Sequence, residues 1–267
     1  MSRPNSEDLA TITKLLSADR LAAFVRIAGS ESDAVLLHQQ SIQLAGALMP
    51  VTGTVEVALR NAISDRLRSH FGSPDWLASP PPPFKWKGAE HNSIQKAVGQ
   101  AKKAAYAKRS YAEKRTLDTL AFPQGVPPNT SHERRSKQRQ RVLPIGVGDL
   151  VSQLTLFFWK RLLSGDYEAT LWKPALRELF PDKQVKRSDV ATALEAIYVA
   201  RNRVAHHESV FGDRLTKTLE AITFLSRHLR PEANCRAAIL ETLLEPHLRT
   251  LDEQQVAMDA LLGRFTL

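Results

Sequence analysis

Cysteine is almost absent. The 267-residue chain has one, Cys235, which excludes an internal disulfide framework and a cysteine-rich zinc site and fits a reducing cytosol. Long apolar runs are missing too. No window reads as long and apolar enough to cross a bilayer, and the opening stretch MSRPNSEDLATITKLL lacks the apolar run of a signal peptide. The expectation is a cytoplasmic chain with no membrane partner. Period-two alternation bounded by hairpin turns is absent, so strands are not expected, and no repeat recurs at a solenoid spacing. There is no P-loop, GxGxxG, HExxH or GxSxG, which leaves nucleotide-dependent, zinc-protease and serine-esterase chemistry without support. His206, His207 and Glu208 are adjacent, a spacing that spreads side chains over different helix faces rather than around one ion. No cofactor and no metal is expected.

What remains is helical periodicity, and the fold class read from it is all-α. Residues 7–28 give two short helices with Ser17 or Asp19 as the cap between them. From Ala34 to Phe71 the stripe Leu37, Leu44, Leu48, Val51, Val55, Leu59, Ile63 and Leu67 predicts another helix, with Pro50 and Gly53 expected to kink or briefly break it. The segment 72–88, with Pro80 to Pro83 in a row, reads as an extended linker. Its neighbours Trp76, Phe84 and Trp86 are read as packing residues before base-stacking ones. GDLVSQLTLFFWKRLL predicts a buried helix, DYEATLWKPALRELFP short helical pieces, RLTKTLEAITFLSRHL an amphipathic helix, and the tail two helices broken around Glu245-Pro246. The organisation expected is a single helical domain over 1–267, with 72–141 a Pro-rich linker plus a basic helix and loop insertion.

The net positive charge is confined to that insertion. Between Phe84 and Arg141 stand 14 lysines and arginines against four acidic residues, a net +10 in a chain whose total is +9, so the remainder carries −1. HNSIQKAVGQAKKAAYAKRSYAEKR is Ala-rich and helix-forming, with Lys96, Lys102, Lys103, Lys108 and Arg109 along it and Tyr106 and Tyr111 interleaved. FPQGVPPNTSHERRSKQRQR, which holds Arg134 and Arg135, reads as a mobile loop. Basic runs often only solvate a surface. Clustering, interleaved tyrosines and a near-neutral remainder favour a phosphate-rich partner instead, and RNA is the partner expected.

Chemistry concentrates in SDVATALEAIYVARNRVAHHESVF, 188–211. Ser188 is placed as the N-cap and Asp189 in the first turn. Val190, Leu194, Ile197 and Val204 form one stripe, and Arg201 falls inside it. A cation there needs a partner or a wet crevice. Asn202, His206 and His207 follow within two turns. Arginine can stabilise a phosphorane-like transition state, asparagine can orient a ribose hydroxyl or phosphate, and histidine carries protons near neutral pH. Those groups serve metal-free RNA cleavage by the ribose 2′-OH. Arg201 and His206 diverge by roughly 140° on a straight helix, so either the helix ends near Ala205 or the residues meet across a two-fold dimer. Taken singly, each residue also fits a structural role. Glu56 and Arg60 read as an exposed i,i+4 pair of little energetic value, with Asn61 beside them.

ARNRVAHHESVF resembles the RNxxxH signature of the HEPN superfamily and, more closely, the Abi-like (AbiD/AbiF-type) abortive-infection family. LSADRLAAFV, VEVALRNAISDRL followed by Phe71-Gly72 and Trp76, and GDLVSQLTLFFWKRLL with ATLWKPALRELFP resemble further family segments in the same order. Residues 84–141 match least, and Phe157 stands where the family often has glycine. The resemblance implies a HEPN-like helical bundle with added terminal helices, a homodimer, and a metal-independent ribonuclease in bacterial antiviral defence. It assigns transition-state stabilisation to Arg201, RNA positioning to Asn202 and general base or acid to His206, with His207, Glu56, Arg60 and Asn61 as auxiliaries. A non-coding partner RNA would suit the basic insertion. Two alternatives stay open: an RNA-binding protein without catalysis, and a protein-interaction module whose basic charge serves solubility.

Overall fold

The computed structural model describes residues 5–231 and 239–265; Cys235 lies outside the described residues. In chain order the α-helices are α1 (Ser6–Leu16), α2 (Ala18–Ala28), α3 (Glu31–Phe71), α4 (Gly88–Ala107), α5 (Tyr111–Thr116), α6 (Asp118–Ala121), α7 (His132–Arg141), α8 (Val147–Gln153), α9 (Leu156–Arg161), α10 (Arg187–Ala205), α11 (Asp213–His228) and α12 (Ile239–Gly263). A π turn at Glu168–Trp172 lies between two 3₁₀ turns, Gly165–Tyr167 and Leu176–Leu179. No strand occurs among the described residues. The protein is all-α.

The chain divides into two compact units, residues 1–59 with 180–267 and residues 60–179, so the division falls inside α3. The linker and basic insertion, 72–141, belong to the second.

In the first unit, Asn5 caps α1 by accepting from the Asp8 N–H at 2.7 Å, and Ser17 caps α2 by accepting from Arg20 N–H at 3.3 Å. The stripe Val190, Leu194, Ile197 and Val204 of α10 is buried, together with Leu37, Leu44, Leu48, Val51 and Val55 of α3. α10 and α11 pack along each other and α11 packs on α12. α10 starts one residue before the expected cap, because the Asp189 carboxylate accepts from the Lys186 N–H at 2.9 Å; Ser188 only donates to Asp189.

Two prolines expected to interrupt helices do not break them. Pro50 lies inside α3 and Pro246 inside α12. An interior proline costs about 3 kcal/mol. Leu48, Val51 and Val55 around Pro50 are completely buried, as are Leu244 and Leu251 around Pro246. At about 1.5–3 kcal/mol per buried side chain, their packing outweighs the loss. The Thr52 hydroxyl donates to the Leu48 carbonyl at 3.2 Å. α3 is also long and apolar enough, by length and composition, to cross a membrane. That revises the expectation that no window would qualify; its apolar stripe is core.

The second unit is built on aromatic packing. Trp76, Phe158, Trp159 and Tyr167 are buried, Trp86 and Phe84 partly so, and ring centroids lie 4.9 Å apart for Phe84–Trp86 and 5.9 Å for Trp86–Phe158. The linker aromatics therefore pack, as their composition predicts. Trp86 Nε1 donates to the Leu77 carbonyl at 2.9 Å. Buried Glu90 accepts from Tyr167 Oη and Arg161 Nε, each at 2.9 Å, and Lys87 N donates to Tyr167 Oη at 3.1 Å. Burial, with the Glu90 carboxylate beside it, pushes the Tyr167 phenol well above its usual range. The expected single helix at 148–163 is two, α8 and α9, because Leu154 is extended. Phe157 is half-exposed, with Lys160 Nζ 5.5 Å from its ring centre.

A helix replaces the expected mobile loop at 132–141. Ser131 caps α7 by accepting from the Arg134 N–H, Glu133 and Lys137 pair at 2.7 Å, and Arg135 and Arg139 both reach Asp118. Arg139 is buried, donating to Asp118 through Nε and Nη2 at 2.7 Å each. Hydrogen bonds from Arg139, then Arg135, hold the Asp118 carboxyl far below the usual carboxylate range.

Candidate active site at the end of helix α10

α10 ends at Ala205, yet the His206 N–H still donates to the Asn202 carbonyl at 3.0 Å, so the backbone reaches His206 along the helix and no hydrogen bond joins its side chain to Arg201. His206 takes φ −98° and ψ 12°, and His207 turns left-handed at φ 56°. A non-glycine residue in that region costs on the order of 1–2 kcal/mol, and the surroundings hold it there. Glu208 N–H donates to the Arg203 carbonyl at 2.8 Å, Arg203 Nε donates to the Ser209 carbonyl at 3.0 Å, and Arg203 Nη1 pairs with Glu208 at 2.8 Å. Arg20 Nη1, from α2, donates to the His207 carbonyl at 2.7 Å. Val210 is buried and the Phe211 ring lies 6.4 Å from Phe24. The turn is thus fixed from both sides, with the side chains of His206 and His207 exposed.

Arg201 is the cation inside the apolar stripe, and its partner is Glu56 of α3, with Nε 3.4 Å from Oε2. Glu56 thereby has a long-range role, beyond the local pair its spacing with Arg60 predicts. The Glu56 side chain is 14% exposed and that of Arg201 41%. The carboxylate anchors one edge of the guanidinium while the rest stays open to an incoming anion. Arg201 Nη1 also reaches Asn202 Oδ1 at 3.4 Å. Three of the expected residues, Glu56, Arg201 and Asn202, are therefore joined. Arg60 and Asn61 lie on α3 beyond the division; Asn61 is exposed, and Arg60 Nε is buried with no hydrogen-bond partner. Among the described residues no group of three His, Cys, Asp or Glu stands close enough to hold a metal.

The expected RNA-contacting cations separate into two kinds. Lys96, Lys103, Lys108 and Arg134 are exposed, and Arg109 is half-buried. Lys102 and Arg135 serve the fold: Lys102 Nζ donates to the Arg141 carbonyl at 2.6 Å, and Arg135 pairs with Asp118. Each finds an acceptor on another element of the fold.

Arg203, Glu208 and Arg20 hold the turn after α10, a role that the sequence announces weakly or not at all. Arg203 and Glu208 carry a weak signal, opposite charges flanking a helix end; Arg20 has none, since its partner is a backbone carbonyl far along the chain. Comparison with protein-family models, with curated proteins and with solved structures finds no match to this chain.

Proposed function

We propose that the protein is a metal-independent endoribonuclease of the HEPN type, acting in bacterial antiviral defence, with the Arg201–Asn202–His206 constellation as its active site. The observation that carries this reading is the pairing of Arg201 with the shielded Glu56 on the helix whose terminal turn bears the exposed His206. An arginine held at one edge by a carboxylate is oriented, and its remaining donors face developing negative charge without reorganising.

The ribose 2′-OH attacks the adjacent phosphorus, and an imidazole takes its proton. Arg201 stabilises the charge that gathers on the non-bridging oxygens. The bond from phosphorus to the 5′-oxygen breaks, and that oxygen takes a proton from an imidazolium. The products are a 2′,3′-cyclic phosphate and a 5′-hydroxyl, so atoms and protons balance. Two imidazoles serve best, one as base and one as acid. His206 supplies one; His207, or His206 of a second copy in a homodimer, supplies the other. The exposed Lys96, Lys103, Lys108 and Arg134 would attract the RNA strand electrostatically.

The test is to incubate wild-type and His206→Ala proteins with RNA in EDTA. Cyclic-phosphate fragments from the wild type alone are expected. Equal cleavage by both would remove His206 from the mechanism. Intact RNA bound by both would favour an RNA-binding role without catalysis, for which the exposed cations are the supporting observation.

A further inference from the structure

Three arginines stand at or beside the end of α10, and they are not alike. Arg201 is paired with Glu56, and Arg203 with Glu208. Arg20, in the first turn of α2, has a backbone partner instead. Its Nη1 donates to the His207 carbonyl at 2.7 Å, and among the described residues it pairs with no carboxylate. Asp19 precedes it, but consecutive helical residues do not face each other, so that carboxylate leaves α2 on another side. The Arg20 charge is felt inside the fold as well. Burial first, then Arg20, holds the imidazole of buried His38, on α3, below its ordinary value. The position is locally unfavourable for a cation, which meets the positive end of the helix dipole in a first turn. Clasping the His207 carbonyl needs only a neutral donor. What an arginine adds there is charge and four further N–H groups. The Arg20 side chain is exposed, as are those of His206 and His207.

We infer that Arg20 binds a phosphate of the RNA strand, the neighbour of the one that is cleaved, and so lays the strand across the turn that carries His206. The inference rests on the ribonuclease reading above and adds a substrate-binding residue to it. Charge complementarity favours a phosphate. Glu56 and Glu208 offset the other two arginines, so Arg20 is the cation at this turn whose charge is left for a polyanion. A paired cation has little counterion atmosphere to displace, whereas an unpaired one neutralises a phosphate and releases its counterion. Geometry favours it too. The tie to the His207 carbonyl fixes one corner of the guanidinium, and the remaining donors keep the planar fork that suits two oxygens of one phosphate. The tie falls one residue beyond His206, on the far side from Arg201, so the fork sits beside the reacting group rather than on it. Successive phosphates of a single strand thus meet Arg201 and Arg20 in turn.

Short single strands with 2′-O-methyl riboses cannot supply the nucleophile, so they isolate binding from cleavage. Their affinity would be measured across a range of salt for the wild type, Arg20→Gln and Arg20→Lys, with circular dichroism checking the fold. Arg20→Gln keeps an N–H donor for the His207 carbonyl and removes the charge; Arg20→Lys keeps the charge. One lost phosphate contact on a single strand lowers the log–log salt slope by about 0.7, and a charge-assisted contact contributes about tenfold in affinity. Arg20→Gln is expected to show both changes and Arg20→Lys to keep the slope. A residue that only clasps the turn would leave the slope alone in both variants. An unchanged slope in Arg20→Gln, an equal drop in both variants, or no binding by the wild type overturns the assignment. Cleavage of unmodified RNA in EDTA is scored in parallel. The expected slope change without cleavage by the wild type sinks the ribonuclease reading and keeps the phosphate contact, whereas cleavage with an unchanged slope does the reverse.

Discussion

Asp118→Ala would separate the structural cations of the insertion from the available ones. Asp118 accepts four hydrogen bonds, two from each of two arginines on α7. The two arginines are not equivalent. The Arg139 side chain is 7% exposed and that of Arg135 37%. Breaking a buried pair by removing one partner costs about 3–5 kcal/mol, because the surviving charge is left uncompensated. A pair with a third of one partner in water contributes about 0–1 kcal/mol. After Asp118→Ala, the Tyr106 hydroxyl, 3.5 Å from Arg139 Nη1, is a poor substitute acceptor. We therefore expect a loss of about 3 kcal/mol, nearly all of it from Arg139. All four tryptophans, Trp76, Trp86, Trp159 and Trp172, lie in the 60–179 unit, so tryptophan fluorescence in a urea titration reports that unit selectively. With a slope of about 2 kcal/mol per molar, the midpoint should fall by about 1.5 M. Replacing the charges together, as Asp118→Leu with Arg139→Met, should recover most of the loss, since an apolar pair avoids the desolvation cost. A midpoint shift under about 0.3 M in Asp118→Ala would refute the reasoning.

Reversing the four exposed cations, Lys96, Lys103, Lys108 and Arg134, to glutamate should reduce the salt dependence of RNA binding by at least about three in log–log slope while leaving the urea midpoint unchanged; Arg135→Glu should lower the midpoint. Glu56→Gln should lower the rate constant for RNA cleavage by about tenfold or more with little change in fold, because the guanidinium keeps its place but loses its charged anchor; an unchanged rate would show that Arg201 needs no orientation. Arg203→Ala should free the turn after α10 and cut cleavage without abolishing RNA binding, and Arg203→Lys should not rescue it, since one ammonium cannot hold Ser209 and Glu208 together as the fork does. His38 has a lowered folded value, so the unfolded chain binds the proton more tightly, and its contribution is full above about pH 6.5 and declines as pH falls towards the folded value. His38→Leu should flatten that acid-side decline in a thermal melt series.

Local periodicity made the helices legible. The α10 stripe at Val190, Leu194, Ile197 and Val204 is buried as its spacing demands, and Ser17 separates α1 from α2. Where local pattern and structure differ, a short-range rule met a larger tertiary term. Pro50 and Pro246 are strong local breakers overruled by core leucines and valines. α7 is almost wholly polar, with no apolar stripe to announce a helix; it forms because Ser131 caps it and Asp118, on another element, takes two of its arginines. No window that ends at Arg141 can weigh an acceptor at 118 whose role depends on how the chain folds back.

The site follows the same logic with a different consequence. Arg201 was recognisable because an arginine in an apolar stripe must be compensated. What compensates it, Glu56, reads from its spacing as one half of a local pair with Arg60, and only the family resemblance lists it among the auxiliaries. The distinction matters for chemistry. A surface i,i+4 pair would leave Arg201 to wander with its several rotamers, and fixing those at the moment of reaction costs roughly 2 kcal/mol of side-chain entropy. A shielded carboxylate at 3.4 Å removes most of that cost before substrate arrives. The charge balance limits the effect: Glu56 neutralises part of the field that Arg201 offers a phosphate. Because the Arg201 side chain remains 41% exposed, its open edge keeps enough donors for a bidentate contact. In the proposed mechanism the arrangement trades raw electrostatic attraction for preorganisation, a trade that favours the transition state over the ground state. Glu56→Ala should accordingly tighten the binding of uncleaved RNA while slowing its cleavage. A variant that loses both together would instead make Glu56 a purely structural anchor.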